Sequence, residues 1–255
     1  AADGAAVDAM RAFLGNVNFE GLVVIGEGEK DDAPMLFNGE IVGNGNGPRV
    51  DIAVDPIDGT SLTAAGRQNA ISVIAVADRG SMLDASTVYK MDKFVTGPAG
   101  VGVCDIAKPI SENIRAYARA ARKPVDEVLV AVLDRDYNSK LVEDIRKAGA
   151  ATRLLRDGDV AGGIQAARES SRLDMCVGIG GSPEAIVTAC GIKALGGLIQ
   201  GILAPGTDLE KQHGIDAGLK FDHVYQMNEM VSSDNTFFVA TGVTDGPLFA
   251  GVKKH

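Results

Sequence analysis

The sequence predicts a mixed α+β / α/β protein whose two halves are built differently, and three observations carry that reading. Short β-branched runs separated by turn clusters such as Asn44-Gly45-Asn46-Gly47-Pro48 fill the first half. In the second half, strand-like and helix-like segments alternate, the pattern of a layer with parallel strands. Lys123-Pro124 punctuates the chain between them. The predicted division is an N-terminal α+β domain over 1–124 and a C-terminal α/β domain over 125–255.

Taken in order, Ala6, Met10, Phe13 and Leu14 recur at helical spacing and predict a helix over 4–14, with Asp3 where an N-cap belongs. Leu22-Val23-Val24-Ile25 reads as a strand running into Gly26-Glu27-Gly28-Glu29. A buried strand over 50–54 leads directly into Asp55-Pro56-Ile57-Asp58-Gly59-Thr60, read as a turn held by Pro56 and Gly59. One or two helical turns over 61–66, a strand over 70–77 and a pairing segment near 93–96 follow. Ser111 suits the N-cap of a helix over 111–122. Beyond Pro124 the expected series is strand 128–133, helix 140–148, strand 152–155, helix 160–167, strand 175–178 and helix 183–195. Ser182 and Pro183 stand as N-cap and first residue of that last helix. A final strand is expected over 237–241.

Composition narrows the function. With 255 residues, 45% apolar and 23% charged, the chain has the balance of an ordinary globular protein. Its 34 acidic against 25 basic residues give a net charge of −9, and no Lys/Arg block follows a nucleic-acid backbone. No apolar run suits a membrane span, and no secretory or lipidation signal is visible. Cys104, Cys176 and Cys190 have neither disulfide-framework nor zinc spacing, so they read as small buried apolar residues of a cytoplasmic protein. His213 and His223 lack partner spacing and are expected at the surface.

Chemistry concentrates at Asp55 and Asp58. Two carboxylates three residues apart at a strand end offer oxygen ligands to hard cations such as Mn2+ or Mg2+. Gly59-Thr60 opens the next element, where amides can receive phosphate and a hydroxyl can orient water. A capped turn would use the same residue types. Gly178-Ile179-Gly180-Gly181 before a helix could likewise form a concave anion site or a tight connection.

Asp55-Pro56-Ile57-Asp58-Gly59-Thr60 resembles the D-P-[IL]-[DE]-G-T signature of the lithium-sensitive, metal-dependent sugar and inositol phosphatases. Further segments are similar, in matching order along the chain, to the bacterial class II fructose-1,6-bisphosphatases. They are Ala2-Asp3-Gly4-Ala5-Ala6-Val7, Val24-Ile25-Gly26-Glu27-Gly28-Glu29, Asp157-Gly158-Asp159-Val160-Ala161, the stretch from Gly178 to Glu184, and Ala240-Thr241-Gly242-Val243-Thr244-Asp245-Gly246.

The resemblance implies a layered α-β-α-β-α sugar-phosphatase fold with mixed sheets, a metal-binding N-terminal half and a substrate-binding C-terminal half. It implies metal-dependent hydrolysis of the 1-phosphate of fructose-1,6-bisphosphate in gluconeogenesis, with Mn2+ or Mg2+ as cofactor. Asp3, Glu27, Asp55, Asp58 and Glu184 fall on metal-ligand positions. Thr60 falls on the residue assisting the attacking water, with Asp55 and Glu27 beside it in catalysis. Asp58, Gly59, Thr60, Tyr89, Arg135, Tyr137, Asp157, Gly158, Asp159 and Gly181 fall on substrate positions.

One departure bears on the substrate. At Asp134-Arg135-Asp136-Tyr137-Asn138 the family shows a basic residue, Pro, Arg and His, whereas here Arg135 keeps the first charge and Tyr137 and Asn138 replace the other two. Lys140, one turn on, is the candidate to compensate. Sedoheptulose-1,7-bisphosphate or inositol monophosphate are the alternative substrates, and a non-catalytic sugar-phosphate sensor is the alternative class. The expected partner is a small sugar bisphosphate, without nucleic acid or membrane, in a homodimer or homotetramer.

Overall fold

The structure, a computed structural model, describes residues 2–27 and 36–253. Glu29 lies outside the described residues. The first half supplies α1 (Ala2–Leu14), β1 (Glu20–Ile25), β2 (Ile41–Val42), β3 (Arg49–Asp58), α2 (Thr60–Ala64), β4 (Ile71–Asp78), β5 (Lys90–Thr96) and α3 (Ile110–Ala120). Then come β6 (Leu129–Leu133), α4 (Ser139–Lys147), β7 (Ala151–Leu155), α5 (Asp159–Ala167), β8 (Met175–Gly181) and α6 (Ser182–Leu195). The chain closes with β9 (Leu198–Leu203), α7 (Asp208–Asp216), β10 (Tyr225–Gln226), α8 (Met227–Met230) and β11 (Thr236–Gly242).

Two mixed sheets result, ordered β11-β4-β3-β1-β2 and β10-β9-β5-β8-β6-β7. In the second, only β7, β6 and β8 run parallel, and β5 pairs antiparallel with both β8 and β9. The parallel layer expected from helix-strand alternation is therefore half of that sheet. β5, which precedes Pro124, lies in the second sheet, and β11, which follows it, lies in the first.

Side-chain alternation explains the layering. Val50, Ile52 and Val54 of β3 face α1, together with Val7 and Leu14, while Ala53 faces the opposite way. That opposite core joins Val73 and Ala75 of β4 to Val160 and Ile164 of α5, to Ile186, Val187 and Cys190 of α6, and to Met91 and Val95 of β5. Helices α5 and α6 are thus the filling between the two sheets. Accordingly α6 is apolar around most of its circumference and buried over nearly its whole length, as a central helix must be. On the far side of the second sheet, Ile114 and Tyr117 of α3 and Val142 and Ile145 of α4 pack on Phe94, Val130 and Val132. The order is α-β-α-β-α, as the resemblance implies.

Three local expectations are corrected. Asp3 sits inside the first turn of α1 rather than at its cap. Helix α3 begins after Pro109, two residues ahead of the expected cap Ser111. The six-residue motif is no turn: β3 runs on through Asp58, with a bulge between Asp55 and Asp58 against β4. A bulge tolerates Pro56, which has no N–H to give the ladder.

Candidate active site

The bulge decides where the motif's carboxylates point. In a regular strand, residues three apart face opposite sides, whereas one extra residue returns Asp55 and Asp58 to the same side. Both line a cleft of about 670 Å3 at the ends of β3 and β1, over the N-terminal turns of α2, α5 and α6. A second bulge, in β1 between Val23 and Ile25, turns the chain so that Ile25 faces the inner core and Glu27 reaches the cleft.

Glu27, Asp55, Asp58, Gly59, Thr60, Tyr89, Asp157, Asp159 and Glu184 share this one cleft. These residues span both predicted halves. Gly158 caps α5 in the left-handed region (φ 79°), and Gly181 immediately precedes α6. Asp3, Arg135 and Tyr137 are not part of the cleft lining. Tyr89, a substrate position by the resemblance, is 72% exposed at the cleft rim, its amide donating to Glu210 Oε1 at 2.6 Å.

Two carboxylates tie the halves together by capping each other's helices. Asp58 Oδ2 accepts from Ala161 N in the first turn of α5 (2.9 Å). Asp157 Oδ2 accepts from Ser61 N (3.1 Å) and Ser61 Oγ (2.7 Å) in the first turn of α2. Each cap satisfies amides that lack an intrahelical partner and places negative charge at a positive helix end. One amide of the Gly59-Thr60 turn region expected to meet phosphate is therefore already engaged.

The glycine cluster is strand, not loop. Gly178 to Gly181 continue β8, in register with Lys93 to Lys90 of β5, so their role is space rather than a concave set of free amides. A Cβ on Gly180 would lie 2.2 Å from Asp159 Oδ2, and one on Gly181 would lie 1.7 Å from Glu184 Oε2. Asn138, which stands where the family has His, is buried and clamps this strand, donating to Ile179 O (3.0 Å) and accepting from Ile179 N (2.9 Å). Lys140 pairs with Asp144 on the exposed face of α4. A different cation, Lys90, lies over the Tyr137 ring, 4.5 Å from its centroid.

Electrostatically the cleft is overfilled with negative charge. Burial first, then Asp58, Glu184 and Glu27, push the Asp55 carboxyl well above its usual range. Burial and Asp159 do the same to Asp58, against the opposing Ala161 hydrogen bond. Glu184 is raised by burial and by Asp159, with Lys93 opposing. Asp3 Oδ1 and Glu184 Oε2 are buried oxygens with no hydrogen-bond partner. Hard oxygen donors that repel one another and are left unpaired fit divalent cations of the Mg2+ and Mn2+ type. Among the described residues no three acidic, His or Cys side chains close on one point as a metal cage. Ions here would be shared with water and substrate oxygens, the habit of Mg2+.

Sequence reasoning missed several residues of the site. Asn38 accepts from Gly26 N at 2.7 Å and steadies the loop before Glu27. Glu210 pins Tyr89, and Ser86 lines the cleft. Lys93, buried beneath Asp159, was legible only as a charge among the apolar residues Met91, Phe94 and Val95 of one strand.

A carboxylate-lined cleft with a threonine hydroxyl at its lip, set at strand ends and helix N-termini, has the chemistry of a phosphate-ester hydrolase. Comparison with known proteins agrees: a family model described as bacterial fructose-1,6-bisphosphatase, glpX-encoded, matches residues 1–255. Fructose-1,6-bisphosphatase 1 class 2 of Escherichia coli strain K12 is 41% identical over 270 aligned residues, covering 99% of this chain and 79% of that protein. Fructose-1,6-bisphosphatases class 2 of Escherichia coli O6:H1 and of Shigella flexneri match with the same identity and coverage. The chain belongs to the bacterial, glpX-encoded fructose-1,6-bisphosphatase family, and is a phosphoric monoester hydrolase.

Proposed function

We propose that this chain hydrolyses the 1-phosphate of fructose-1,6-bisphosphate, giving fructose-6-phosphate and inorganic phosphate, as a cytoplasmic step of gluconeogenesis. The observation that carries the proposal is the convergence of Glu27, Asp55, Asp58 and Glu184 with Thr60 in one cleft, in a chain that matches the family from end to end.

Glu27, Asp55, Asp58 and Glu184 would hold Mn2+ or Mg2+, with the partnerless Asp3 Oδ1 on α1 as a further ligand. When bound, such ions supply Lewis acidity toward phosphoryl oxygens and lower the pKa of water. Thr60, exposed at the start of α2, orients that water for attack in line with the departing sugar oxygen, with Asp55 and Glu27 beside it. The water oxygen bonds to phosphorus as the bond between phosphorus and the C1 oxygen breaks; one proton of the water ends on the departing C1 oxygen and the other stays on the phosphate. Asp157, Asp159 and the backbone at Gly158 and Gly181 suit sugar hydroxyls, for which carboxylates and carbonyls are acceptors. Tyr89 closes the rim. For the distal phosphate we assign Arg135 and the Lys90-Tyr137 pair, which restores a cation beside the tyrosine that replaces Arg.

A homodimer or homotetramer is part of the same proposal, supported by exposed apolar residues on the first sheet and its covering helix, Phe13 (71%), Phe237 (62%) and Val239 (60%).

The test is phosphate release by purified protein in Mn2+ and in Mg2+ from fructose-1,6-bisphosphate, sedoheptulose-1,7-bisphosphate and inositol monophosphate. We expect the fructose ester to have the highest kcat/KM, lithium to inhibit, and Thr60→Ala and Asp55→Asn each to lower kcat at least about a hundredfold. Unchanged release in either variant would place the chemistry elsewhere. A higher kcat/KM on inositol monophosphate would move the assignment to a monoesterase.

A further inference from the structure

Lys93 is 7% exposed at the middle of β5, with hydrogen-bonded strands on both sides. A lysine buried to that degree needs a partner. It has two: its ammonium pairs with Asp159 Oδ2 in a short contact and donates to Gly181 O at 3.1 Å. These acceptors open the two segments that bring substrate-facing groups to the cleft, Asp159 at the start of α5 and Gly181 before α6 and Glu184.

The surroundings are shaped around this contact. At Gly180 a Cβ would fall 2.2 Å from Asp159 Oδ2 and 2.9 Å from Lys93 Nζ, so a glycine is what lets the pair meet beneath the strand. Asp159 lines the cleft, while Lys93 borders only the small void on its inner side with Cys176 and Thr188. The ammonium therefore reaches substrate through Asp159 rather than directly.

We infer that Lys93 is a positioning residue for sugar recognition, fixing the Asp159 carboxylate as an acceptor for the hydroxyl groups of a phosphorylated sugar and anchoring the end of β8 at Gly181. The inference rests on the sugar-phosphatase reading above. It adds a specificity element outside the cleft, on a strand whose position the sheet fixes on both sides. A site built to accept hydroxyl hydrogen bonds discriminates against esters that lack them, so Lys93 governs preference for sugar over non-sugar phosphates.

The experiment compares Lys93→Met, Lys93→Arg and Gly180→Ala, each alone and combined with Asp159→Asn, on fructose-1,6-bisphosphate and p-nitrophenyl phosphate in Mn2+. In Lys93→Met, KM for the bisphosphate should rise at least about tenfold, by more than kcat falls, and preference over p-nitrophenyl phosphate should drop by a similar factor. Lys93→Arg should recover part of that loss. Combined with Asp159→Asn, Lys93→Met should add less than about twofold, because both act through one carboxylate. Gly180→Ala keeps the lysine but drives the pair apart, and carries the same expectations should Lys93→Met not fold. Equal loss of kcat on both esters with KM unmoved would overturn the inference, as would effects that multiply fully in the Asp159→Asn background. Wild-type protein that hydrolyses p-nitrophenyl phosphate but no sugar phosphate would instead overturn the sugar-phosphatase reading, and this inference with it.

Discussion

Asp55, Asp58 and Glu184 face one another in a cleft whose burial and mutual repulsion raise all three pKa values. A carboxyl group more easily protonated when folded than when unfolded gives stability that is complete below its unfolded pKa and lost as pH rises through its folded pKa. For Asp55 and Asp58 that loss begins near the ordinary value of 3.8 and extends upward to the raised folded values. We therefore expect chelator-treated protein to lose melting temperature as pH rises through this window, and Mn2+ to restore it at neutral pH. Asp55→Asn should flatten the pH dependence and weaken the Mn2+ effect. Scanning calorimetry across pH, with and without metal, measures both. A chelated protein whose melting temperature climbs through the same window would show that these carboxylates are already compensated by the fold. Motif residues of this kind were readable because the whole hexapeptide resembles the phosphatase signature; taken alone, two acids, a proline and a glycine also suit a capped turn. Lys93 was not, since one lysine in a strand reads as an edge or surface residue until the sheet on both sides is seen.

At the level of elements, the segment order explains what the pattern reached and where it stopped. Helices α3 and α4 have one apolar face and one polar face because they cover a single sheet, so their periodicity is plain in the sequence. Between 196 and 236, where β9, α7, β10 and α8 lie, the sequence pattern marks no element. There Gly201 interrupts an apolar run, and α7 carries little apolar periodicity. The junction of α3, β6 and β8 makes a separate expectation. Asp174 accepts from Lys123 Nζ (2.7 Å), Leu129 N (2.8 Å) and Tyr117 Oη (3.2 Å), and it is not part of the cleft lining. Removing it leaves a buried amide, a phenol and an ammonium without their acceptor. Asp174→Ala should cost ~3 kcal/mol of stability in urea titration while leaving KM of the folded fraction unchanged. A loss under about 0.5 kcal/mol, the size of an ordinary surface change, would mean that water replaces the carboxylate without penalty.

Over the whole molecule, the five-layer order followed from the family resemblance, whereas the crossing of strands between sheets did not, because pairing between segments far apart leaves no local signature. Strand β11 shows this: it pairs along its full length with β4, more than a hundred and fifty residues earlier, from Thr236↔Ala77 to Gly242↔Ile71. Its outer positions Phe237 and Val239 stay exposed at the sheet edge. If that face holds copies of the chain together, the double substitution Phe237→Lys, Val239→Lys should leave the fold intact and yield monomer by light scattering, whereas an unchanged assembly would place the interface elsewhere. The late return of β11 also governs how the protein is born. On the ribosome β4 is finished long before its partner exists, and at typical elongation rates its open edge waits on the order of ten to thirty seconds. During that interval the first sheet offers a vacant strand position to any passing nascent chain. Holding that edge safe until the last strand arrives is a task for chaperones, and stalling after α8 would turn a delay into aggregation.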